Sequence, residues 1–215
     1  MKSQQVTIID YGVGNLLSVK RGFEKCGANV KISSNPKEIL SASKIVLPGV
    51  GAFPNAMLSL DKLKLISVIM ELVDLKKPIL AICLGMQLLM EQSDEFKITQ
   101  GLGIIPGKVT KIPIAVTSEH EYKIPHIGWS QLVQSPGISS WDKTVLKGVA
   151  ENESVYFVHS YMVEPEDKNA RIADVNYGDT RISAVIAQEQ ITGCQFHPEK
   201  SGKLGLKILN NFISI

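Results

Sequence analysis

The chain of 215 residues is long enough for one large domain or two very small ones. Hydrophobic residues make up 44% of it and charged residues 20%, which is typical of a soluble globular protein. The 23 basic and 21 acidic residues leave a net charge of +2, too small to attract nucleic acid or an anionic membrane. We therefore expect a compact protein that binds neither nucleic acid nor membrane.

The N-terminus and the cysteines indicate the cellular compartment. Residues 1–5 turn polar at once and lack the apolar core of a signal peptide, and the most apolar stretch, 78–90, is too short to span a membrane. The three cysteines, Cys26, Cys83 and Cys194, are widely spaced and form no CxxC motif. That usage fits a reducing interior rather than a disulfide framework, so we expect a cytoplasmic protein.

Short β-branched runs alternate with helical patterns in the first half of the chain. In order, the patterns predict a strand at 5–10, a helix at 16–26 ended by Gly27, a strand at 30–32, a short helix from Lys37, a strand at 44–47, a helix at 56–75, a strand at 78–83 and a helix from Met86 to about Gln92. Strands that alternate with helices in this way predict βαβ units, and hence a parallel sheet with helices on both faces.

Beyond about residue 100, strand-like segments follow one another with short turns between them. These segments are 107–112, 122–127, 154–159, 172–176, 182–187 and 191–196, followed by a closing helix at 202–212. The predicted fold is one α/β domain over residues 1–215, with a flavodoxin-like, mostly parallel central sheet and antiparallel additions in its second half. Ligands of such sheets bind outside the carboxyl ends of the strands, so the turns there are the places to look for chemistry.

Residues 81–85, Ala-Ile-Cys-Leu-Gly, join an apolar strand to a helix with the spacing of a nucleophile elbow. The small residues Ala81 and Gly85 let strand and helix approach closely, and Cys83 is then held at the first turn of the helix. A helix N-terminus favours the thiolate, and its free N–H groups can receive an oxyanion. The alternative is a buried structural cysteine.

Residues 195–199, Gln-Phe-His-Pro-Glu, follow the last predicted strand. A thiolate nucleophile needs a general base that later donates a proton to the leaving group, and His197 can serve as both. Glu199, two residues on, can hold the imidazole in one tautomer, as the third member of a triad does. The alternative is an exposed His and Glu in a turn.

A third turn with candidate functional residues, 48–51, follows the strand that ends at Leu47. Gly49 and Gly51 flank Val50 and permit dihedrals that other residues avoid, so the Val50 N–H can point at an oxyanion beside the Leu84 N–H. An ordinary tight turn is the alternative. The four histidines show no metal-ligand spacing, so we expect no catalytic metal and no cofactor.

These three segments, in this chain order, resemble the triad-type (class I) glutamine amidotransferases. The likeness runs from residue 6 to the C-terminus and includes residues 10–15, 156–161 and 197–201. Those segments are similar to the branch of the family in which a glutaminase subunit supplies ammonia for histidine biosynthesis.

The resemblance implies that Cys83 attacks the side-chain amide of glutamine, giving a γ-glutamyl thioester and ammonia. It makes His197 the base and then the acid, Glu199 the group that orients it, and the N–H groups of Val50 and Leu84 the oxyanion hole. The positions matched to substrate-holding residues are Gly49, Gly51, Gln87, Glu95, His159, Ser160 and Tyr161. From the residues alone, Gln87 lies one turn beyond Cys83 on the same helix face. Glu95 could pair with an ammonium, but from the residues alone a solvated surface charge is the default interpretation.

The family passes its ammonia to a partner, which in the resembled branch is a (β/α)₈-barrel cyclase forming a heterodimer with the glutaminase. The resemblance places Tyr11, Asn15, Pro125, Ile127, Trp129 and Lys200 at that interface. A Pro, an Ile and a Trp in one short segment suit an interface core.

Residues 125–130 match the segment that faces the barrel in the resembled branch. Two of them depart from its usual pattern: Ile127 stands where Met is usual and Ser130 where Asn is usual. A paralogous glutaminase that feeds a sugar amidotransferase in surface polysaccharide synthesis therefore remains an alternative. A non-catalytic thiol sensor of the same fold and a stand-alone cysteine hydrolase acting on peptides are others. The pair His197 and Glu199 favours an enzyme, because a thiol sensor has no need of it.

Overall fold

A computed structural model describes residues 4–113 and 122–215 of the chain. Within these ranges the strands are β1 (Gln5–Ile9), β2 (Asn29–Ser33), β3 (Ile45–Gly49), β4 (Ile79–Cys83), β5 (Gln92–Ser93), β6 (Thr99–Gln100), β7 (Gly107–Lys111), β8 (His126–Gln131), β9 (Val133–Gln134), β10 (Ser154–His159), β11 (Tyr161–Pro165), β12 (Arg171–Tyr177), β13 (Thr180–Gln188) and β14 (Ile191–Cys194). The α-helices are α1 (Leu16–Lys25), α2 (Pro36–Leu40), α3 (Phe53–Lys62), α4 (Leu65–Asp74), α5 (Leu84–Leu88) and α6 (Gly202–Ser214). None of these described helices is long and apolar enough to cross a membrane.

Eight strands form the central sheet in the order β2-β1-β3-β4-β14-β13-β12-β9. The first five pair in parallel, and β13, β12 and β9 continue the sheet with antiparallel pairing. The parallel strands therefore have the flavodoxin-like order, with β14 as the fifth strand. The predicted fold class, a mostly parallel sheet with antiparallel additions, is confirmed.

Helices cover both faces of this sheet. Helices α1 and α6 pack on one face, where the rings of Phe23 and Phe212 meet edge to face at 6.1 Å. Helices α2 to α5 pack on the other face through residues such as Phe53 and Leu65. Successive residues of a strand point to opposite faces, so β1 contributes Ile8 to the first cluster and Ile9 to the second.

Two smaller sheets flank the central one: β10 pairs with β8, and β11, β7, β5 and β6 form a four-stranded sheet in that order. Strand β10 ends at His159 and β11 begins at Tyr161, so Ser160 alone links the two small sheets. The sequence patterns did not predict β11.

The single helix predicted for residues 56–75 is wrong, because the structure has two helices with a break at Lys64, whose φ is 56°. The apolar positions explain the break. Helix α3 buries Leu60 as its last core residue, and α4 resumes at Leu65, five residues on, whereas one continuous stripe needs steps of three or four. Leu63, the residue at the regular step, is 42% exposed.

Two other predicted boundaries need correction. The strand predicted at 122–127 begins only at His126; its first four residues precede the strand, and Pro125 among them has no N–H to give to a ladder. The helix predicted from Met86 to about Gln92 begins at Leu84, directly after Cys83, and ends at Leu88. The earlier start puts the turn at Cys83 itself.

Gly85 allows α5 to pack against the end of β3, because a Cβ at this position would overlap the carbonyl oxygen of Leu47. Since β3 lies inside the central sheet, it cannot easily move away. We expect Gly85→Ala to lower the free energy of unfolding by about 3 kcal/mol, as overpacking of a rigid core does, measured by urea denaturation. The exposed helical substitution Lys203→Ala is the control, expected to change stability by less than about 0.5 kcal/mol. A Gly85→Ala protein as stable as the wild type would show that the contact between α5 and β3 is not constrained.

Candidate active site

A cavity of about 420 Å³ lies at the carboxyl ends of β3, β4 and β10, within the size range of small-molecule sites. Its lining residues are Val50, Gly51, Cys83, Leu84, Gln87, Glu95, Pro125, Val158, His159, Ser160, Tyr161 and His197. The structure thus brings into one wall residues that are up to 147 positions apart in the chain, from Val50 to His197. Val158 is the one lining residue to which the sequence patterns assigned no role.

Cys83 sits at the turn between β4 and α5 with φ 55° and ψ −113°, a strained conformation for a residue with a side chain. Cys83 is 6% exposed and lines the cavity. Gly49, at the end of β3, packs so closely that a Cβ there would lie 2.9 Å from both the Leu84 Cβ and the Gly85 nitrogen. The neighbouring strand end is thereby held against the nucleophile turn.

The two residues predicted to form an oxyanion hole, Val50 and Leu84, both line the cavity. Leu84 is the first residue of α5, so its backbone N–H has no acceptor within the helix. Val50 directly follows Gly49 and is 40% exposed. Both residues therefore adjoin Gly49, Val50 along the chain and Leu84 through packing.

His197 and Glu199 form a buried pair. The His197 Nδ1 and Glu199 Oε1 atoms are 2.8 Å apart, and the side chains are 4% and 1% exposed. The other ring nitrogen, His197 Nε2, has no hydrogen-bond partner among the described residues. One nitrogen is thus held by a carboxylate and the other is free to act at the cavity.

The pKa of His197 is set by opposing effects. Burial lowers it, but the neighbouring Cys83 and Glu199 together raise it by more, to about 9. The imidazolium form is therefore favoured at neutral pH.

A pKa that folding raises has a predictable effect on stability. Because the folded value lies above the ordinary 6.5, the proton on His197 stabilises the fold fully below about pH 6.5, and this contribution is lost as the pH rises through about 9. We expect the difference in unfolding free energy between the wild type and His197→Gln to be largest near pH 6 and to shrink as the pH rises through about 9. Urea denaturation over that range measures it. A difference that grows with pH would contradict a stabilised imidazolium.

Gln87 and Gln195 connect the cavity wall to the nucleophile. Gln87 Nε2 donates to the Tyr161 carbonyl oxygen and to Gln195 Oε1, both at 3.1 Å, and Gln195 Nε2 lies 3.8 Å from Cys83 Sγ. Gln195 is wholly buried. The sequence patterns did not single it out, although its place two residues before His197, at the end of β14, is a signal that could have done so.

Glu95 is not a solvated surface charge, because it is 9% exposed and lines the cavity. Its Oε2 accepts a hydrogen bond of 2.6 Å from the backbone N–H of Phe53 at the start of α3. Ala52, the residue that precedes this helix, offers no side-chain cap, so Glu95 supplies the cap from 42 residues away.

The residues predicted to face a partner divide into two groups. Most are exposed, with Ile127 and Trp129 at 58% and 57%. The prediction for Tyr11 is wrong: its side chain is 1% exposed, and its hydroxyl donates to the Pro48 carbonyl oxygen at 2.6 Å. Tyr11 therefore braces the turn at 48–51 from inside. The other exposed members are Asn15, Pro125 and Lys200.

The other two cysteines lie away from the cavity. Cys194 is wholly buried, and Cys26 Sγ donates to the Leu206 carbonyl oxygen at 3.3 Å. Burial raises the pKa of both thiols. In the described parts of the chain, no group of three or more His, Cys, Asp or Glu side chains is arranged to hold a metal ion.

Comparison with known proteins gives a consistent result. Residues 7–215 match the family model of class I glutamine amidotransferases. The chain is 49% identical over 210 residues to imidazole glycerol phosphate synthase subunit HisH 1 of Legionella pneumophila (strain Lens), covering 98% of this chain and 99% of that protein. It is 45% identical over 213 residues to the HisH subunit of Methanosarcina barkeri, covering 99% of each. The structure of PurLQS from Thermotoga maritima shares the fold, with a TM-score of 0.70 at 18% identity over 99% of this chain and 98% of that one.

Proposed function

This chain belongs to the class I glutamine amidotransferase family, and on that premise we propose that it is the glutaminase subunit of an imidazole glycerol phosphate synthase. It would hydrolyse glutamine to glutamate and ammonia in the cytoplasm and pass the ammonia to a cyclase partner in histidine biosynthesis. Relatives with that name match nearly the whole chain at 42% to 49% identity.

The observation that carries the chemistry is the free His197 Nε2 in the same cavity as Cys83, with Glu199 on the opposite ring nitrogen. The Cys83 thiolate attacks the amide carbon of glutamine, and the C–S bond forms as the carbonyl becomes an oxyanion. The N–H groups of Val50 and Leu84 receive that oxyanion. His197 then protonates the departing nitrogen, which leaves as ammonia, and a γ-glutamyl thioester remains.

Hydrolysis of the thioester completes the cycle. His197, now neutral, takes a proton from water as the water attacks the thioester carbon, and the C–S bond breaks to release glutamate and restore the thiolate. Glu199 accepts the Nδ1–H throughout, so the Nε2 atom exchanges the proton in both steps. The sum is glutamine plus water giving glutamate plus ammonia.

The part of the cavity lined by Gln87 and Glu95 suits the amino-acid end of glutamine. Both hydrogens of Gln87 Nε2 are already used, which leaves Gln87 Oε1 as an acceptor for the substrate ammonium. The Glu95 carboxylate supplies negative charge there, and Ser160, Tyr161 and Gly51 also line the cavity. Gly49 does not line it but packs against the nucleophile turn. His159 is a further residue of the cavity lining.

Ammonia is lost to water unless the partner covers the exit. Pro125 is exposed and also lines the cavity, so the interface proposed for Ile127 and Trp129 begins at the cavity rim. A (β/α)₈-barrel cyclase is the partner proposed for this surface, in a heterodimer. Two exposed apolar side chains on one short strand are of the type that anchor such interfaces.

The experiment combines this chain with the barrel cyclase encoded in the same genome and supplies glutamine labelled with ¹⁵N in its amide. We expect glutamate release and the label in the imidazole product, in the complex but not with the cyclase alone. If the label reaches a product only when a sugar amidotransferase replaces the cyclase, the chain belongs to the polysaccharide branch. Peptide hydrolysis by the isolated chain, unaffected by any partner, would instead indicate a stand-alone cysteine hydrolase.

A further inference from the structure

A chain of hydrogen bonds leads from the cavity to strand β8, and its direction is fixed at one end. His159 Nδ1 lies 2.9 Å from the Tyr161 carbonyl oxygen. A carbonyl can only accept, so Nδ1 carries the proton and His159 Nε2 is left as an acceptor.

This assignment determines the donor and the acceptor of every other hydrogen bond in the series. His126 Nδ1 lies 3.0 Å from His159 Nε2, so Nδ1 must be the donor and His126 Nε2 must be an acceptor. His126 Nε2 in turn lies 2.9 Å from Ser130 Oγ, so the Ser130 hydroxyl donates to it. The order of donation is Ser130 to His126 to His159 to the Tyr161 carbonyl.

Packing holds His126, in the middle of this series of hydrogen bonds, in place. The His126 ring is 2% exposed and is stacked between Phe157 and Tyr177, with centroid distances of 4.9 and 4.1 Å. Burial lowers the pKa of His126 to about 4 and that of His159 to about 3. Both rings are therefore neutral at pH 7, and no positive charge on His159 opposes the imidazolium of His197.

The Tyr161 carbonyl oxygen is shared with the other half of the site. It accepts from Gln87 Nε2 as well as from His159 Nδ1, which uses both of its lone pairs. Gln87 continues through Gln195 to the Cys83 sulfur. If the His159 ring turned, a nitrogen lone pair would face the carbonyl, and the oxygen that holds Gln87 would shift.

Strand β8 presents two different faces. His126 and Ser130 point inward, whereas Ile127 and Trp129 point outward and are exposed, as the alternation of a strand requires. The inward face thus forms the far end of the hydrogen-bond chain.

We propose that His126 and Ser130 are positioning residues of the glutamine site: they hold the His159 ring in one orientation and one tautomer, and through the Tyr161 carbonyl they hold Gln87. The role in catalysis rests on the proposed function. The hydrogen-bond order itself does not, so the two are tested separately.

The first measurement is the ¹⁵N spectrum of the imidazoles in the full chain, with and without the cyclase. Both His126 and His159 should be neutral and protonated at Nδ1, the tautomer that free histidine populates less. In Ser130→Ala the His126 Nε2 signal should move towards that of a nitrogen without a donor, and Ser130→Thr should restore it. Protonation at Nε2 of either ring in the wild type would overturn the proposal.

The second measurement is glutaminase kinetics of the complex. His126→Phe keeps the stacked ring but removes both nitrogens, and we expect it to raise KM for glutamine about tenfold with kcat changed less than about twofold, since substrate holding rather than chemistry is lost. Ser130→Ala should raise KM about threefold, and Ser130→Thr should restore the wild-type value. Ser154→Ala on the paired strand β10 is the matched control and should leave KM unchanged.

The double variant distinguishes positioning from simple loss of packing. If Ser130 acts only through His126, Ser130→Ala in the His126→Phe background changes KM no further; independent, additive effects would contradict the proposal. Should His126→Phe fail to fold, the two Ser130 variants and the wild-type spectra still decide. A wild-type complex that releases no glutamate refutes the proposed function. Normal release of glutamate with an unchanged KM in His126→Phe and in Ser130→Ala refutes only the positioning role.

Discussion

Replacing Cys83 with alanine should reduce glutamate release by the partner-bound chain by about 10⁴-fold or more, because no other group can form the thioester. Cys83 is the one cysteine that lines the cavity in the described structure, and its strained turn holds the sulfur there. Steady-state release of glutamate by the complex measures the effect.

Association with the cyclase should survive this substitution. Cys83 is 6% exposed, so it offers little surface to a partner. Cys26→Ala is the matched control, since it removes a thiol outside the cavity and should retain full activity. Loss of association in Cys83→Ala, or activity within tenfold of the wild type, would count against Cys83 as a purely catalytic nucleophile.

Replacing Glu199 with glutamine should lower kcat by about 10² to 10⁴-fold while leaving the shape of the site unchanged. The carboxylate accepts from His197 Nδ1 at 2.8 Å; an amide can present its NH₂ group instead and so favour the wrong tautomer. The pKa of His197 should also fall, because Glu199 is one of the groups that raise it. Pre-steady-state and steady-state kinetics measure the first effect, and an imidazole titration by NMR measures the second.

Glu71→Gln is the matched control for this change, since it makes the same chemical replacement at an exposed position of helix α4. It should leave kcat and the His197 titration unaltered. A Glu199→Gln complex that keeps more than a tenth of the wild-type kcat would show that His197 does not depend on a carboxylate for its orientation.

Much of the fold could be predicted because its signals are local. The alternation of apolar strands and amphipathic helices predicts the parallel sheet, and Gly85 two residues after Cys83 predicts the close approach of α5. The break at Lys64 has no glycine or proline to mark it; only the five-residue step from Leu60 to Leu65 in the apolar stripe indicates it.

The parts of the site that sequence reasoning missed depend on contacts between distant segments. Gln195 meets Cys83 across 112 residues, and His126 meets His159 across 33, so no local pattern connects them. Tyr11 reads as an exposed turn residue beside glycines, and only the fold reveals that its hydroxyl is bonded to Pro48. A motif therefore predicts which residue reacts, whereas the residues that hold it in place require the structure.

Covalent labelling by a glutamine analogue with an electrophilic carbon in place of the amide tests the central claim most directly. Incubation of the cyclase-bound chain with the analogue, followed by peptide mapping, should find one label per chain, on Cys83, and excess glutamine should protect against it. Labelling should be absent in Cys83→Ala. A partner-bound chain that never labels at Cys83, or that labels only at Cys26 or Cys194, would contradict the assignment of Cys83 as the nucleophile of a glutaminase.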